Sequence, residues 1–246
     1  APSSSCALNP DHLRIAKICR DVYSKKVELS RDFVESKDTV AQATVTLEGT
    51  QATVCFRGSA GLVDWRWRTN MRLDKVPFLS RKHRDKKREV HSGFFIGNNS
   101  VKSKIYAKLN ALIEAGECDS LLFAGHSAGG ALAAISAFDF QNKDQIPLRV
   151  ITFGSPKLGN AAFAKAFDEQ MACTRIVNDN DIIAIAPLFG GYRHVGCDVL
   201  YLSEFAEAEA LNWIRALMNC ARLDAISDHD IDSYIATMEI HLKKDE

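Results

Sequence analysis

The 246-residue chain has no excess of charge of either sign: 31 Lys and Arg stand against 31 Asp and Glu. A dedicated nucleic-acid binder carries a basic domain to meet phosphate, so no nucleic-acid partner is expected. Long apolar runs are also missing. The best candidate, from Ile182 to Gly191, is short and broken by Pro187, whereas a spanning helix needs roughly 18 to 20 residues. The seven cysteines, at positions 6, 19, 55, 118, 173, 197 and 220, form no C-x-x-C pair, which excludes the common zinc modules. Their odd number leaves at least one thiol unpaired and up to three disulfides open. Cys55, inside the apolar run Ala52 to Phe56, reads as a core thiol. There is no initiator Met, and Ala1-Pro2-Ser3-Ser4-Ser5 fits a removed leader or a trimmed chain. Secreted and intracellular locations are therefore both open, and the sequon Asn98-Asn99-Ser100 matters only in a secretory chain. Linker-like, low-complexity and repeated stretches are absent, which points to one domain over residues 1–246. With 46% hydrophobic and 25% charged residues, composition is ordinary for a globular protein, and a domain of this size buries a core without staples.

What is present is an alternation of strands and helices. Leu13, Ala16, Cys19, Val22 and Tyr23 form a helical stripe after Asn9-Pro10, predicting an N-terminal helix over about 11–28. Val40 to Leu47 and Gln51 to Phe56 read as strands joined by a turn at Glu48-Gly49-Thr50. Val101, Ile105, Leu109, Leu112 and Ile113 mark a helix ending near Gly116. Leu121 to Ala124 then leads into a helix from Ser127 to Phe140. Arg149 to Phe153 leads through Gly154-Ser155-Pro156 into another, about Asn160 to Met171. Arg175 to Val177 starts a third unit. Tyr192 to Leu202 reads as a further strand, followed by helices over Phe205 to Arg222 and Ile231 to Leu242. This order predicts an α/β fold with a mostly parallel sheet covered on both faces.

The sharpest chemical signal is Gly125-His126-Ser127-Ala128-Gly129. It matches G-x-S-x-G and lies between a predicted strand and helix, where a nucleophile elbow has to lie. A sharp turn there lifts the serine hydroxyl clear of the sheet, and Gly125 and Gly129 are small because larger side chains would collide. The following helix aims its unpaired N–H groups at whatever the serine attacks, and the N–H of Ala128 becomes the first oxyanion donor. A serine nucleophile needs a base, and the base needs an acid to orient it. In this architecture the acid comes next in the chain and the histidine last. Asp181 and its neighbour Asp179 both stand at the end of the third strand. His229, in Ser227-Asp228-His229 before the last helix, is the favoured base, with His194 as its rival.

Six blocks, in order, resemble the class 3 (fungal-type) lipase family of α/β hydrolases. They are Phe56-Arg57-Gly58-Ser59, Trp67-Arg68-Thr69-Asn70-Met71, Val90-His91-Ser92-Gly93-Phe94, the elbow, Ile151 to Asn160, and Asn178 to Pro187. His194-Val195-Gly196 and His229 with Tyr234 extend the likeness over roughly residues 40–240. The resemblance implies an α/β-hydrolase fold and selects Asp181 over Asp179 and His229 as the histidine. It also implies Ser59 as a second oxyanion donor, steadied by Asn70, and a short lid over about 60–69. In that lid, Leu62, Val63, Trp65 and Trp67 suit a lipid interface. The lid departs from the family pattern by about two extra residues, an extra Trp-Arg pair, and Arg66 where an acid or Asn is usual.

Arg81 to Arg88 holds six full positive charges against one negative. It reads as a solvated loop, with docking on anionic lipid as the sharper alternative. No cofactor or metal is called for, and the cluster Asp224, Asp228, Asp230 and Asp232 lacks the Gly and bidentate Glu of a calcium loop. The reading is a monomeric serine carboxylic-ester hydrolase acting on acyl lipids, first as a triacylglycerol or diacylglycerol lipase. Its rivals are a phospholipase A1, an esterase for polar or aromatic (feruloyl-type) esters, and a catalytically silent hydrolase fold used as a binding module.

Overall fold

The computed structural model describes residues 7–28, 30, 32–39, 41–58, 74–79, 83–140, 145–178, 181–202 and 229–244. Its frame is a seven-stranded sheet in the order β1 (Phe33–Glu35), β2 (Gln42–Glu48), β3 (Gln51–Phe56), β6 (Ser120–His126), β7 (Leu148–Phe153), β8 (Ala172–Val177) and β9 (Asp198–Tyr201). The β1–β2 and β2–β3 pairings are antiparallel and the four from β3 to β9 are parallel. Two further strands, β4 (Lys75–Pro77) and β5 (Glu89–His91), pair with each other. This is the α/β-hydrolase fold.

Helices cover both faces. On one lie α1 (Pro10–Asp21) and α6 (Ile231–Lys244), where Ile15, Cys19, Tyr234 and Met238 pack on Leu122, Ile151 and Ile176. Asn9 starts α1 with a capping box: its side chain accepts the His12 N–H at 3.2 Å, and the His12 ring accepts the Asn9 N–H at 3.3 Å. Pro10 follows at the first helical position, where its missing N–H costs nothing. On the other face lie α3 (Ser92–Glu114), α4 (Ala128–Asp139) and α5 (Ala161–Asp168). There Phe163 meets Phe78 and Phe138 edge-on at 5.1 and 5.3 Å, contacts worth about 0.5–1.5 kcal/mol each beyond simple burial.

Several boundaries differ from the sequence reading. The helix expected over 11–28 stops at Asp21, and a separate turn, α2 (Lys25–Glu28), follows. The strand expected from Tyr192 shrinks to β9, because Gly196 takes a positive φ and residue 193 makes only an isolated bridge to Gly159. The basic loop is solvated at residues 84–87 but not throughout. His83 turns inward, stacks on Phe138 at 4.1 Å and bonds the Phe138 carbonyl at 3.0 Å. Cys19, Cys55, Cys118, Cys173 and Cys197 are free thiols, with Cys55 fully buried, so three disulfides are ruled out. Cys6, Cys220 and the helix expected over 205–222 lie outside the described residues.

Candidate active site

Parallel pairing brings the carboxyl ends of β3, β6, β7 and β8 side by side, with Phe56 opposite Gly125, His126 opposite Phe153 and Phe153 opposite Ile176. Ser127 sits at the end of β6, immediately before α4, with φ 58° and ψ −132°. That conformation costs a non-glycine residue about 1–3 kcal/mol. Two backbone bonds of 2.9 Å hold it: the Ser127 N–H to the Phe153 carbonyl, and the Gly130 N–H to the Ser127 carbonyl. A Cβ on Gly125 would fall on the backbone of Gly129, and one on Gly129 would fall on the Phe56 carbonyl. These two positions therefore let strand, helix and β3 close on one another. Ala128 is the first residue of α4, so its N–H has no acceptor inside the helix.

Around the serine the geometry is continuous. His229 Nε2 lies 2.8 Å from Ser127 Oγ, and His229 Nδ1 lies 2.9 Å from each oxygen of Asp181. An ionised carboxylate only accepts, so Nδ1 carries the proton and Nε2 faces the hydroxyl as the acceptor. Asp181 is 3% exposed. Its Oδ1 also accepts the N–H groups of Ile183 and Ala184 at 2.9 and 3.2 Å, at the 3₁₀ turn Ile183–Ile185. Its Oδ2 accepts the Tyr234 hydroxyl at 2.5 Å. Burial first, and then the neighbouring carboxylate, push the Tyr234 phenol well above its ordinary range, so it stays a donor. Gly154, with φ +56°, completes the floor: a Cβ there would strike Asp181 Oδ2 and crowd Tyr234 and His229. His194 is not within this constellation; its ring faces the backbone of Ala184 instead.

A second chain of bonds runs behind the serine. His126 Nε2 is 2.6 Å from the His229 carbonyl, and His126 Nδ1 is 3.0 Å from the Tyr23 hydroxyl. Burial, followed by the facing His229 ring 4.7 Å away, lowers His126 to a pKa of about 4, so it is neutral at neutral pH. A carbonyl can only accept, which places the proton on Nε2 and makes Nδ1 the acceptor of the Tyr23 O–H. The Tyr23 oxygen in turn accepts the Gly58 N–H at 3.1 Å. The direction of every proton is thus fixed from the loop after β3 to the backbone of His229. Sequence reading gave Tyr23 and Tyr234 no role here and His126 only a place in the elbow. Tyr23 and His126 are 103 positions apart, and no local spacing signals such a contact.

Ser127, Asp181, His229, Ala128, Gly125 and Gly129 come together. Ser59, Asn70, Asp179 and the predicted lid residues Leu62, Val63, Trp65 and Trp67 lie outside the described residues. Among the described residues, no group of three or more His, Cys, Asp or Glu is placed to hold a metal ion.

The pattern of the family described as lipase (class 3) matches residues 53–190. The secreted mono- and diacylglycerol lipase 1 of Fusarium solani is 34% identical over 107 residues, covering 43% of this chain and 32% of that protein. A chloroplastic/mitochondrial phospholipase A1 of Oryza sativa subsp. indica is 36% identical over 101 residues, covering 38% of this chain and 23% of its own length. The matches thus span a third or less of either relative. Among solved structures, a triacylglycerol lipase from Penicillium expansum superposes with a TM-score of 0.69 at 22% identity, covering 80% of this chain and 81% of that one.

Proposed function

Because the chain belongs to the class 3 lipase family, we propose that it is a serine carboxylic-ester hydrolase that cleaves fatty-acyl esters of glycerolipids. The observation that carries this reading is the unbroken series from Ser127 Oγ through His229 to the buried Asp181. Ser127 attacks the ester carbonyl while His229 Nε2 takes the hydroxyl proton. Asp181, held by two N–H groups and a phenol, orients the ring and stabilises the imidazolium. The carbonyl oxygen turns negative in front of the Ala128 N–H, and Ser59 is assigned as the second donor, each worth about 3–4 kcal/mol. His229 then protonates the leaving alcohol. Water, deprotonated by the same imidazole, attacks the acyl-enzyme and releases the fatty acid.

Mono-, di- or triacylglycerol is the first substrate assignment, in keeping with the fungal relatives' names and with the apolar-aromatic stretch Leu62, Val63, Trp65 and Trp67. That stretch is assigned as a lid that opens on contact with a lipid interface. The rice relative favours a second reading, phospholipase A1. Hydrolysis of a series of p-nitrophenyl esters from acetyl to palmitoyl, of dioleoylglycerol emulsions and of phosphatidylcholine vesicles, by wild type and Ser127→Ala, tests both. Long-chain preference with loss of all activity in Ser127→Ala is the expected result. Fatty acid released faster from phospholipid than from acylglycerol selects the second reading. Full activity in the variant, or preference for acetyl esters, overturns the proposal.

A further inference from the structure

Cys19 and Cys55 stand 36 positions apart in the chain, yet the Cys55 thiol donates to Cys19 Sγ at 3.4 Å. Cys19 lies on the buried side of α1, and Cys55 lies in β3. Both are fully buried, in the apolar layer that also holds Ile15, Ala16 and Val22. A buried thiol packs as a small apolar group and needs no sulfur opposite it; Cys118, for comparison, turns to the Ser120 carbonyl. Cys19 and Cys55 instead face each other from two elements that meet only when the fold closes. At 3.4 Å their sulfur atoms are about 1.4 Å short of the roughly 2.05 Å of a disulfide. The structure holds the pair in its reduced form.

We propose that Cys19 and Cys55 are an oxidation site: a small-molecule disulfide such as glutathione disulfide converts them, during folding, into a cross-link that pins α1 to β3 and stabilises the fold. The thiolate of one cysteine attacks a sulfur of glutathione disulfide and releases one glutathione thiolate. The thiolate of the other cysteine then attacks the mixed disulfide and releases the second. The pair loses two electrons and two protons, and two reduced glutathiones carry them away. Burial first, and then the facing Cys55, push the Cys19 thiol well above its ordinary range. In the closed fold it therefore keeps its proton and is a poor nucleophile, so the exchange belongs to the chain before α1 docks. The same burial shields the finished bond from reductants. The link closes a loop that contains β1 and β2, and the freedom it removes from the unfolded chain grows with loop length. It also ties down the two segments that carry Tyr23 and Gly58, which are bonded to each other. The cross-link forms whether or not Ser127 cleaves esters.

The test unfolds the full chain in guanidinium chloride with reductant, then refolds it either with reduced and oxidised glutathione or with a phosphine reductant. Free thiols are trapped with iodoacetamide, and a non-reducing peptide map is read by mass spectrometry. Most chains refolded with glutathione are expected to yield one peptide pair joined through Cys19 and Cys55. The linked protein is expected to melt about 5 °C or more above the reduced one. Cys55→Val keeps an apolar side chain in β3 and is expected to lose most of that difference. The map needs no variant, so it decides the pairing even where Cys55→Val fails to fold. Cys19 and Cys55 both recovered alkylated, either one joined to a different cysteine, or a linked protein that melts no higher than the reduced one would each overturn the proposal.

Discussion

The phenolic oxygen of Tyr234 lies 2.5 Å from Oδ2 of Asp181, the same oxygen that His229 Nδ1 reaches at 2.9 Å. One buried carboxylate oxygen thus serves the proposed base and a neutral donor together, and the donor disperses charge that the imidazole would otherwise face alone.

Tyr234→Phe removes that donor while keeping the ring. A hydrogen bond to a charged group contributes about 1.5–3 kcal/mol, so kcat/KM for a soluble ester is expected to fall about tenfold. A rate identical to wild type would remove Tyr234 from the positioning of the acid.

Gly154→Ala tests the floor of the site. Its Cβ has nowhere to go except into Asp181 Oδ2, at a backbone φ that already disfavours alanine. Displacement of the acid by even about 1 Å can cost a hundredfold in rate. The expected outcome is kcat down by about two orders of magnitude in a protein whose circular dichroism is unchanged. An active variant would mean that the acid tolerates displacement.

Tyr23→Phe cuts the chain from Gly58 to His126 at its middle, leaving a half-buried N–H and a buried imidazole nitrogen without partners. Such groups cost about 1–3 kcal/mol each. Urea unfolding should show a loss of about 2 kcal/mol. If the chain also places the oxyanion loop, kcat should drop about tenfold with little change in KM. A loss of stability with unchanged kcat would assign the chain to folding alone.

His126 also makes stability depend on pH. Its folded pKa of about 4 lies below the ordinary 6.5, so between these values the unfolded chain binds the extra proton. Stability is then full above about pH 6.5, falls as pH drops toward 4, and levels off below that. For this one group the loss at pH 5 is roughly 2 kcal/mol. Urea midpoints at pH 7.5 and pH 5, for wild type and His126→Asn, measure it. The variant should lose about that much of the pH dependence, with His194, lowered in the same direction, supplying part of what remains. A variant with the wild-type slope would show that His126 does not titrate in this window.

Much of this was legible in the chain because each local pattern agreed with the fold. Leu121 to Ala124 followed by Gly125 to Gly129 has the composition of a buried parallel strand ending in a tight turn, and β6, Ser127 and α4 occur there in that order. β1, β4 and β5 were not legible: each has three residues, too few for any alternation to show. The over-long strand from Tyr192 failed for the opposite reason, since apolar content masked Gly196, whose positive φ interrupts extension. Hydrogen bonds such as Tyr23 to His126 depend on α1 packing directly on β6, and sequence spacing carries no trace of it.

The placement of the site across four strand ends and the start of α6 also sets a time at which activity can begin. Gly58, Ser127, Gly154, Asp181 and His229 come from separate segments, and no pair of neighbouring elements contains them all. Parallel strands pair only after long loops close, which makes such sheets slow to assemble. During refolding, helical signal should therefore recover before ester hydrolysis does, and hydrolysis should return only once α6 has docked on α1. Under the proposed activity, ester hydrolysis would thus serve as a clock for assembly of the sheet and its covering helices.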